Sequence, residues 1–176
     1  MKFRVQSCRR SVVSLTVALL SAACDWSLFG EPSAIRPSAE EQTVSCRIVG
    51  ISDGDTLTCL TEQKRQIKVR LHGIDAPEKA QAYGQKAKQH LSDLVYGKTV
   101  MLDVTDTDRY GRTVAVVFSG SLNVNRQMVK DGYAWAYRRY GSTYEADETV
   151  AKSARKGLWW DTNPIDPAEF RQNERK

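Results

Sequence analysis

Ser52-Asp53-Gly54-Asp55 separates two β-prone runs, Val44 to Gly50 and Thr56 to Thr61, and constrains the fold of this chain more tightly than any other stretch. Asp and Gly at the centre favour a tight turn, so the two runs are predicted to pair as a hairpin. Cys46 and Cys59 stand almost equally far from that turn on opposite strands. A cross-strand disulfide is one reading of the pair, and two unbonded core thiols are the other.

The pattern downstream extends the sheet. Gln66 to His72 alternates, with Ile67, Val69 and Leu71 on one face. Gln81 to Tyr96 has helical spacing, with an apolar stripe of Ala87, Leu91, Leu94 and Val95, and Gly97 stops it. Thr99 to Val104 and Thr113 to Phe118 read as two more strands, joined through Asp106 to Gly111. A short helix follows, with Asn125 as candidate N-cap and Met128 and Val129 facing inward, and it ends near Gly132. A last helix is predicted over Tyr144 to Lys156, before Gly157. Trp135, Trp159 and Trp160 are read as packing residues. Five short strands with about three helices give a mainly β, α+β class, and this order suits a five-stranded OB-type barrel. Such a fold leaves function open.

At 176 residues the chain accommodates one domain, expected over residues 43–160, with a C-terminal tail over 161–176. The tail is expected to lie against the domain and is assigned no chemistry. The formal charge of +5 overstates any basic surface, because residues 1–23 hold Lys2, Arg4, Arg9 and Arg10 and no acid. Without them 22 basic residues face 21 acidic ones, a net +1. A polyanion would therefore be gripped by a local cluster rather than by a blanket field.

Those first 23 residues read as an export signal: a basic start, an apolar run from Val12 to Ala23, and small residues at its end. The run is shorter than the roughly 20 residues a membrane span needs. Ser21-Ala22-Ala23 suits ordinary signal cleavage, whereas Leu20 to Cys24 resembles a lipobox, which would lipidate Cys24 and tether the protein to a membrane. The lipid reading leaves Cys46 and Cys59 as an even pair in an oxidising compartment. Residues 24–42, rich in Pro, Ser and Glu, read as a flexible linker. A periplasmic or extracellular location follows.

Chemistry concentrates in Arg70, in Asp75-Ala76-Pro77-Glu78, in Asp55 of the turn, and in Asp108-Arg109-Tyr110-Gly111-Arg112. Carboxylate oxygens suit a hard divalent cation, and paired guanidinium groups suit a phosphate. Together they point to phosphodiester chemistry. His72 and His90 belong to no His-rich set, and the cysteines lack C-x-x-C spacing, which disfavours zinc. Taken singly, each motif has a plain structural reading. Asp53-Gly54-Asp55 serves equally as a turn, Asp75 to Glu78 as a helix entrance, and Arg112 as a solvated charge. Arg138-Arg139 reads as a solvated face. Arg70 and Asp75 are an odd number of residues apart, so a straight strand would aim them at opposite faces. Gly73 must allow a bend if both serve one site.

From about Val44 to Trp159 the chain resembles the staphylococcal nuclease (thermonuclease) family. The resemblance is carried, in order, by Asp53-Gly54-Asp55-Thr56, Val69 to Glu78, Tyr83-Gly84, Asp108 to Arg112, Val124-Asn125, Gly132 to Trp135, and Gly157-Leu158-Trp159. It implies an OB barrel with three helices and a Ca²⁺-dependent nuclease cutting DNA and RNA, single-stranded or locally melted by preference, to leave 3′-phosphate ends. It implies Asp55, Asp75 and the Ala76 carbonyl as metal ligands, the family's best-known member having Thr in place of Ala76. It further implies Glu78 as general base and Arg70 with Arg112 as phosphate-binding, catalytic residues. Arg109 and Tyr110 fall where substrate is contacted. Tyr137 and Tyr140 flank a base-pocket position that Arg138 occupies in this chain. A monomer is expected. Rival readings are a catalytically silent OB module that binds nucleic acid or protein, and a lipid-tethered structural protein of the envelope.

Overall fold

The turn at Ser52–Asp55 joins β1 (Gln42–Ile51) to β2 (Thr56–Thr61), antiparallel, with Ile48 opposite Cys59. In the computed structural model, which describes residues 42–175, this hairpin is the start of a closed sheet. The expectations for residues 1–23, Cys24 and most of the linker fall outside the described residues. Cys46 and Cys59 are bonded as a disulfide between the two strands, with Cα atoms 5.7 Å apart. Among the described residues no helix is long and apolar enough to cross a membrane.

The remaining elements, in chain order, are β3 (Gln66–Leu71), β4 (Ile74–Asp75), α1 (Gly84–Val95), β5 (Thr99–Thr107), β6 (Thr113–Ser119), β7 (Leu122–Asn123), α2 (Val124–Lys130), β8 (Trp135–Ala136), α3 (Glu145–Ser153) and α4 (Pro167–Asn173). The main sheet runs β3-β2-β1-β5-β6-β7, and β3 also pairs with β6 in parallel. Val69, Arg70 and Leu71 of β3 lie opposite Thr113, Val114 and Ala115 of β6. That pairing closes five strands into the expected mainly β, OB-type barrel. Closure removes the open edges that would otherwise expose unpaired backbone. The described residues hold four α-helices, one more than expected, because the tail folds into α4.

Alternation fills the barrel. Ile48, Leu57, Val69, Leu71, Val100, Leu102, Ala115 and Val117 all point into one buried cluster. Onto it pack Ala87, Leu91 and Val95 of α1, spaced at four residues, and Met128 and Val129 of α2. The α1 helix starts at Gly84 rather than Gln81, because Tyr83 holds a left-handed backbone with φ 66°. Trp135 and Trp159 meet edge-on at 5.1 Å in a second cluster with Ala151 and Leu158. Trp160, expected to pack, is 74% exposed, since its neighbour Trp159 takes the inward position.

Asn125 is a second correction. The N-cap of α2 is Asn123, whose side chain accepts from the Arg126 amide at 2.9 Å. Asn125 is instead wholly buried. Its Oδ1 accepts from the Val117 amide (3.0 Å), and its Nδ2 donates to the carbonyls of His72 (2.9 Å) and Ala115 (3.2 Å). One side-chain amide thus stitches β6 to the segment that follows β3. Asn125→Ala would take this partner from the Val117 amide and the His72 carbonyl, at about 1–3 kcal/mol for each buried group left unpaired, while the Ala115 carbonyl keeps the His72 amide. The expected loss is about 3 kcal/mol of folding stability, read as a lower urea midpoint with an unchanged slope.

Candidate active site

The turn between β1 and β2 is built to drive one carboxylate inward. Asp53 Oδ1 accepts from the Asp55 amide at 3.1 Å, so Asp53 has a structural part. Gly54 is wedged tightly, since a Cβ there would lie 2.7 Å from the Cβ atoms of both Ala76 and Ala87. The missing side chain lets the turn touch the 76 segment and α1 at once. Asp55, 7% exposed, then accepts from Thr56 Oγ1 (3.0 Å) and from the Ala76 amide (2.8 Å).

The bend between β3 and β4 delivers the second carboxylate. Gly73, at φ +74°, turns the chain, and β4 leaves β3 to pair with β8, Asp75 opposite Trp135. The chain is not straight through Asp75, and the odd spacing from Arg70 is no obstacle. Arg70 Nη1 binds Asp55 Oδ2 at 2.9 Å while Nη2 binds Asp75 Oδ1 at 3.0 Å. A single guanidinium fork spans the two aspartates. The groups that Arg70 would offer to a phosphate are engaged by these carboxylates in this structure.

Glu78 stands on a loop rather than at a helix entrance. Gln81 shapes that loop: its Oε1 accepts from the Glu78 amide (3.0 Å), and its own amide donates to the Glu78 carbonyl (2.9 Å). At Gly84 a Cβ would overlap the Glu78 carbonyl oxygen, so only glycine lets α1 begin so close to the loop. The Glu78 side chain remains 36% exposed.

Arg112 is braced from its own turn. Its Nε donates to Asp108 Oδ2 at 2.6 Å, while Asp108 Oδ1 accepts from the Tyr110 and Arg112 amides, each at 2.9 Å. Burial pushes Asp108 up, but those hydrogen bonds outweigh it and hold the carboxyl below its ordinary value. Tyr110 is 70% exposed, with the Arg109 guanidinium 4.9 Å over its ring. Tyr137 and Tyr140 sit with ring centres 5.3 Å apart.

A cleft of about 680 Å³ gathers these parts. Asp55, Arg70, Asp75, Ala76, Glu78, Arg109, Tyr110, Arg112, Tyr137 and Tyr140 all line it. Arg139 lines it too, whereas Arg138 ties to Glu148 (3.1 Å). Two lining residues, Arg171 and Arg175, come from the tail. Arg171 of α4 donates through Nη2 to Asp75 Oδ2 (2.8 Å) and through Nη1 to Glu78 Oε1 (2.6 Å) and Asp75 Oδ1 (3.3 Å). The tail therefore does reach the chemistry, contrary to expectation. Asp166-Pro167 was a readable helix start, since Asp166 caps α4 by accepting from the Ala168 amide. Nothing local in the tail indicated where that helix would dock.

Comparison with known proteins agrees with this architecture. The model of the staphylococcal nuclease homologue family matches residues 68–161, more than half of the chain. The chain belongs to the staphylococcal nuclease family. A protein of Haemophilus influenzae named an uncharacterized endonuclease is 53% identical over 140 residues, covering 78% of each chain. A micrococcal nuclease of Shigella flexneri is 41% identical over 138 residues, 71% of this chain and 79% of that protein. The stretch matched by the family model takes in Arg70, Asp75, Glu78 and Arg112, but not Asp55 or α4.

The family fold leaves this member's aspartates in an unusual electrical position. Burial lifts Asp55 from an ordinary 3.8 to about 6, with the Arg70 charge opposing. Burial raises Asp75 as well, against the Arg171 hydrogen bond and the charge of Arg70. Among the described residues no three His, Cys, Asp or Glu side chains form a metal cage. Two buried carboxylates meeting on one guanidinium instead fit a cation that takes few protein ligands and fills its shell with water.

A carboxyl whose folded value exceeds its unfolded one keeps its proton longer in the native state. Its stabilising share is complete at pH below about 4 and declines as pH rises through about 6. In a chelating buffer, wild-type stability is expected to fall more steeply between those values than that of Asp55→Asn. Parallel melting curves across that window would contradict the burial of Asp55.

Proposed function

We propose that this protein is a Ca²⁺-dependent endonuclease that hydrolyses DNA and RNA with low sequence specificity and leaves 3′-phosphate ends. Family membership and relatives named endonuclease and micrococcal nuclease support the coarser assignment, a nuclease of the ester-hydrolase class. The observation that favours the finer one is the meeting of Asp55, Asp75, Glu78 and Arg112 in one cleft. The resemblance implies the ion, and two buried hard-oxygen ligands suit it.

Phosphodiester hydrolysis needs an activated water, positive charge where the phosphoryl oxygens become more negative, and help for the leaving oxygen. Bound at Asp55, Asp75 and the Ala76 carbonyl, Ca²⁺ would supply positive charge to a phosphoryl oxygen. Glu78, on its half-open loop, accepts the proton of the attacking water. Arg112, oriented by Asp108 through Nε and with Nη1 in a long 3.5 Å contact to Thr56 Oγ1, turns its terminal nitrogens to the phosphate. Arg70 holds the aspartates together and lies close enough to share a phosphate oxygen when the carboxylates turn toward a cation. Tyr110 with Arg109, and Tyr137 with Tyr140, line the cleft and offer faces and charge to the neighbouring nucleotides. Stacking on such rings is tolerant of sequence.

We extend the reading to an exported protein acting as a monomer in the periplasm or outside the cell. The basic, then apolar, start of the chain supports export, and a lipid on Cys24 would hold the enzyme at a membrane surface.

Single-stranded DNA incubated with the protein should be cut in Ca²⁺ and left intact in chelator; equal cleavage in both would refute the metal mechanism. Glu78→Gln is expected to lower turnover by about 100-fold or more. Arg112→Lys should reduce it by about 100-fold, because an ammonium cannot reproduce the guanidinium fork. Its melting temperature should stay within a few degrees of wild type. An intact, inert protein in every metal tested would favour the silent binding module.

A further inference from the structure

Arg175 also lines the cleft from the tail, but Arg171 is the tail cation that pairs with its carboxylates. It reaches both oxygens of Asp75 and one of Glu78, at 2.6–3.3 Å. Asp75 is almost fully buried, while the Arg171 side chain is 35% exposed. The guanidinium therefore caps the inner carboxylate from the solvent side. Its attachment is light, since α4 is only seven residues long. A further anchor nearby is Gln81 Nε2 donating to the Ile165 carbonyl at 2.6 Å, from the same glutamine that shapes the Glu78 loop.

Charge matching gives this contact a consequence. Asp55, Asp75 and Glu78 carry three negative charges, and Arg70 returns one. Those four groups leave a net charge of −2, matched to a divalent cation. With Arg171 in place the balance is −1, and the lone pairs of Asp75 that would face an ion point at its nitrogens. A doubly charged ion and a guanidinium held within hydrogen-bond reach of one carboxylate repel each other.

We propose that Arg171 is a displaceable counter-cation: α4 places it on Asp75 and Glu78, where it competes with the divalent ion and is released when the ion binds. The inference rests on the Ca²⁺ reading above. It makes α4, which lies outside the part of the chain matched by the family model, a tuner of metal affinity. Release also frees the Glu78 oxygen that Arg171 occupies, so the base becomes available to water only once the cation has entered. Ion binding and exposure of the base are then one event.

Calorimetric titration of the whole protein with CaCl₂ tests this, using wild type, Arg171→Ala, Arg171→Lys and Asp75→Asn. Arg171→Ala is expected to bind about tenfold more tightly at low salt, the effect of removing one opposing charge. Arg171→Lys should fall between it and wild type, and Asp75→Asn should lose binding. Unchanged or weaker binding by Arg171→Ala, with Asp75→Asn still deficient, overturns the counter-cation while leaving the Ca²⁺ reading intact. No heat from wild type or Arg171→Ala removes the Ca²⁺ reading, and the counter-cation with it. Limited trypsin digestion gives a readout independent of affinity. Cleavage after Arg171 should speed up in Ca²⁺, and equal rates with and without the ion would count against displacement.

Discussion

Two buried carboxylates from separate segments face each other across one guanidinium, and the architecture of the cleft follows from that contact. Asp55 and Asp75 repel one another, and burial makes each charge harder to keep. Arg70 reconciles them by reaching both at about 3 Å. For that fork to work, the β1–β2 turn and the bend after β3 must arrive at the same place. Barrel closure through β3 and β6 sets the first distance, since Arg70 lies in the closing register opposite Val114. The Gly73 turn, pinned by Asn125 through the His72 carbonyl, sets the second.

A carboxylate pair assembled this way is poised for exchange rather than permanently satisfied. A buried ion pair offsets desolvation only when its partners stay in place, and Asp75 has, beside Arg70, a second and more exposed cationic partner in Arg171. The barrel supplies the rigid half of the arrangement, with Asp55, Arg70 and Asp75 fixed by strands and tight glycine contacts. Loops supply the adjustable half. Glu78 hangs on a turn shaped by Gln81, Arg112 on a turn braced by Asp108, and Arg171 on a short helix at the chain's end. Fixed aspartates beside a loop-borne acid and loop- and tail-borne guanidiniums suit the proposed mechanism, in which an ion, a phosphate and a water would enter in turn.

The legible part of the fold was the part governed by local pattern. The hairpin turn, the alternating strands and the four-residue spacing of Ala87, Leu91 and Val95 each follow from short-range rules. So does the necessity of a bend at Gly73, which came from parity alone. Errors arose where a residue's role depended on what lay across the fold. Asn125 has the chemistry of a cap, but its neighbour Asn123 holds the cap position, and burial turned Asn125 into a bridge between strands. Asp75 to Glu78 has the look of a helix entrance, yet Tyr83 in a left-handed conformation delays the helix to Gly84. Trp159 and Trp160 are adjacent on the 3-10 turn Gly157–Trp160, where successive side chains point about 120° apart, so the turn buries only one of them.

Motif order by itself determined the family, the barrel class and the motif residues Asp55, Arg70, Asp75, Glu78 and Arg112 that line the cleft, because those depend on residue types at fixed short spacings. Only the tertiary structure decided that one arginine binds both aspartates, that Asn125 locks the bend, and that Arg171 reaches Asp75 from 96 residues away. Contacts over such separations leave no periodicity in the chain. They are set by where closure of the barrel and docking of α4 bring distant backbone together.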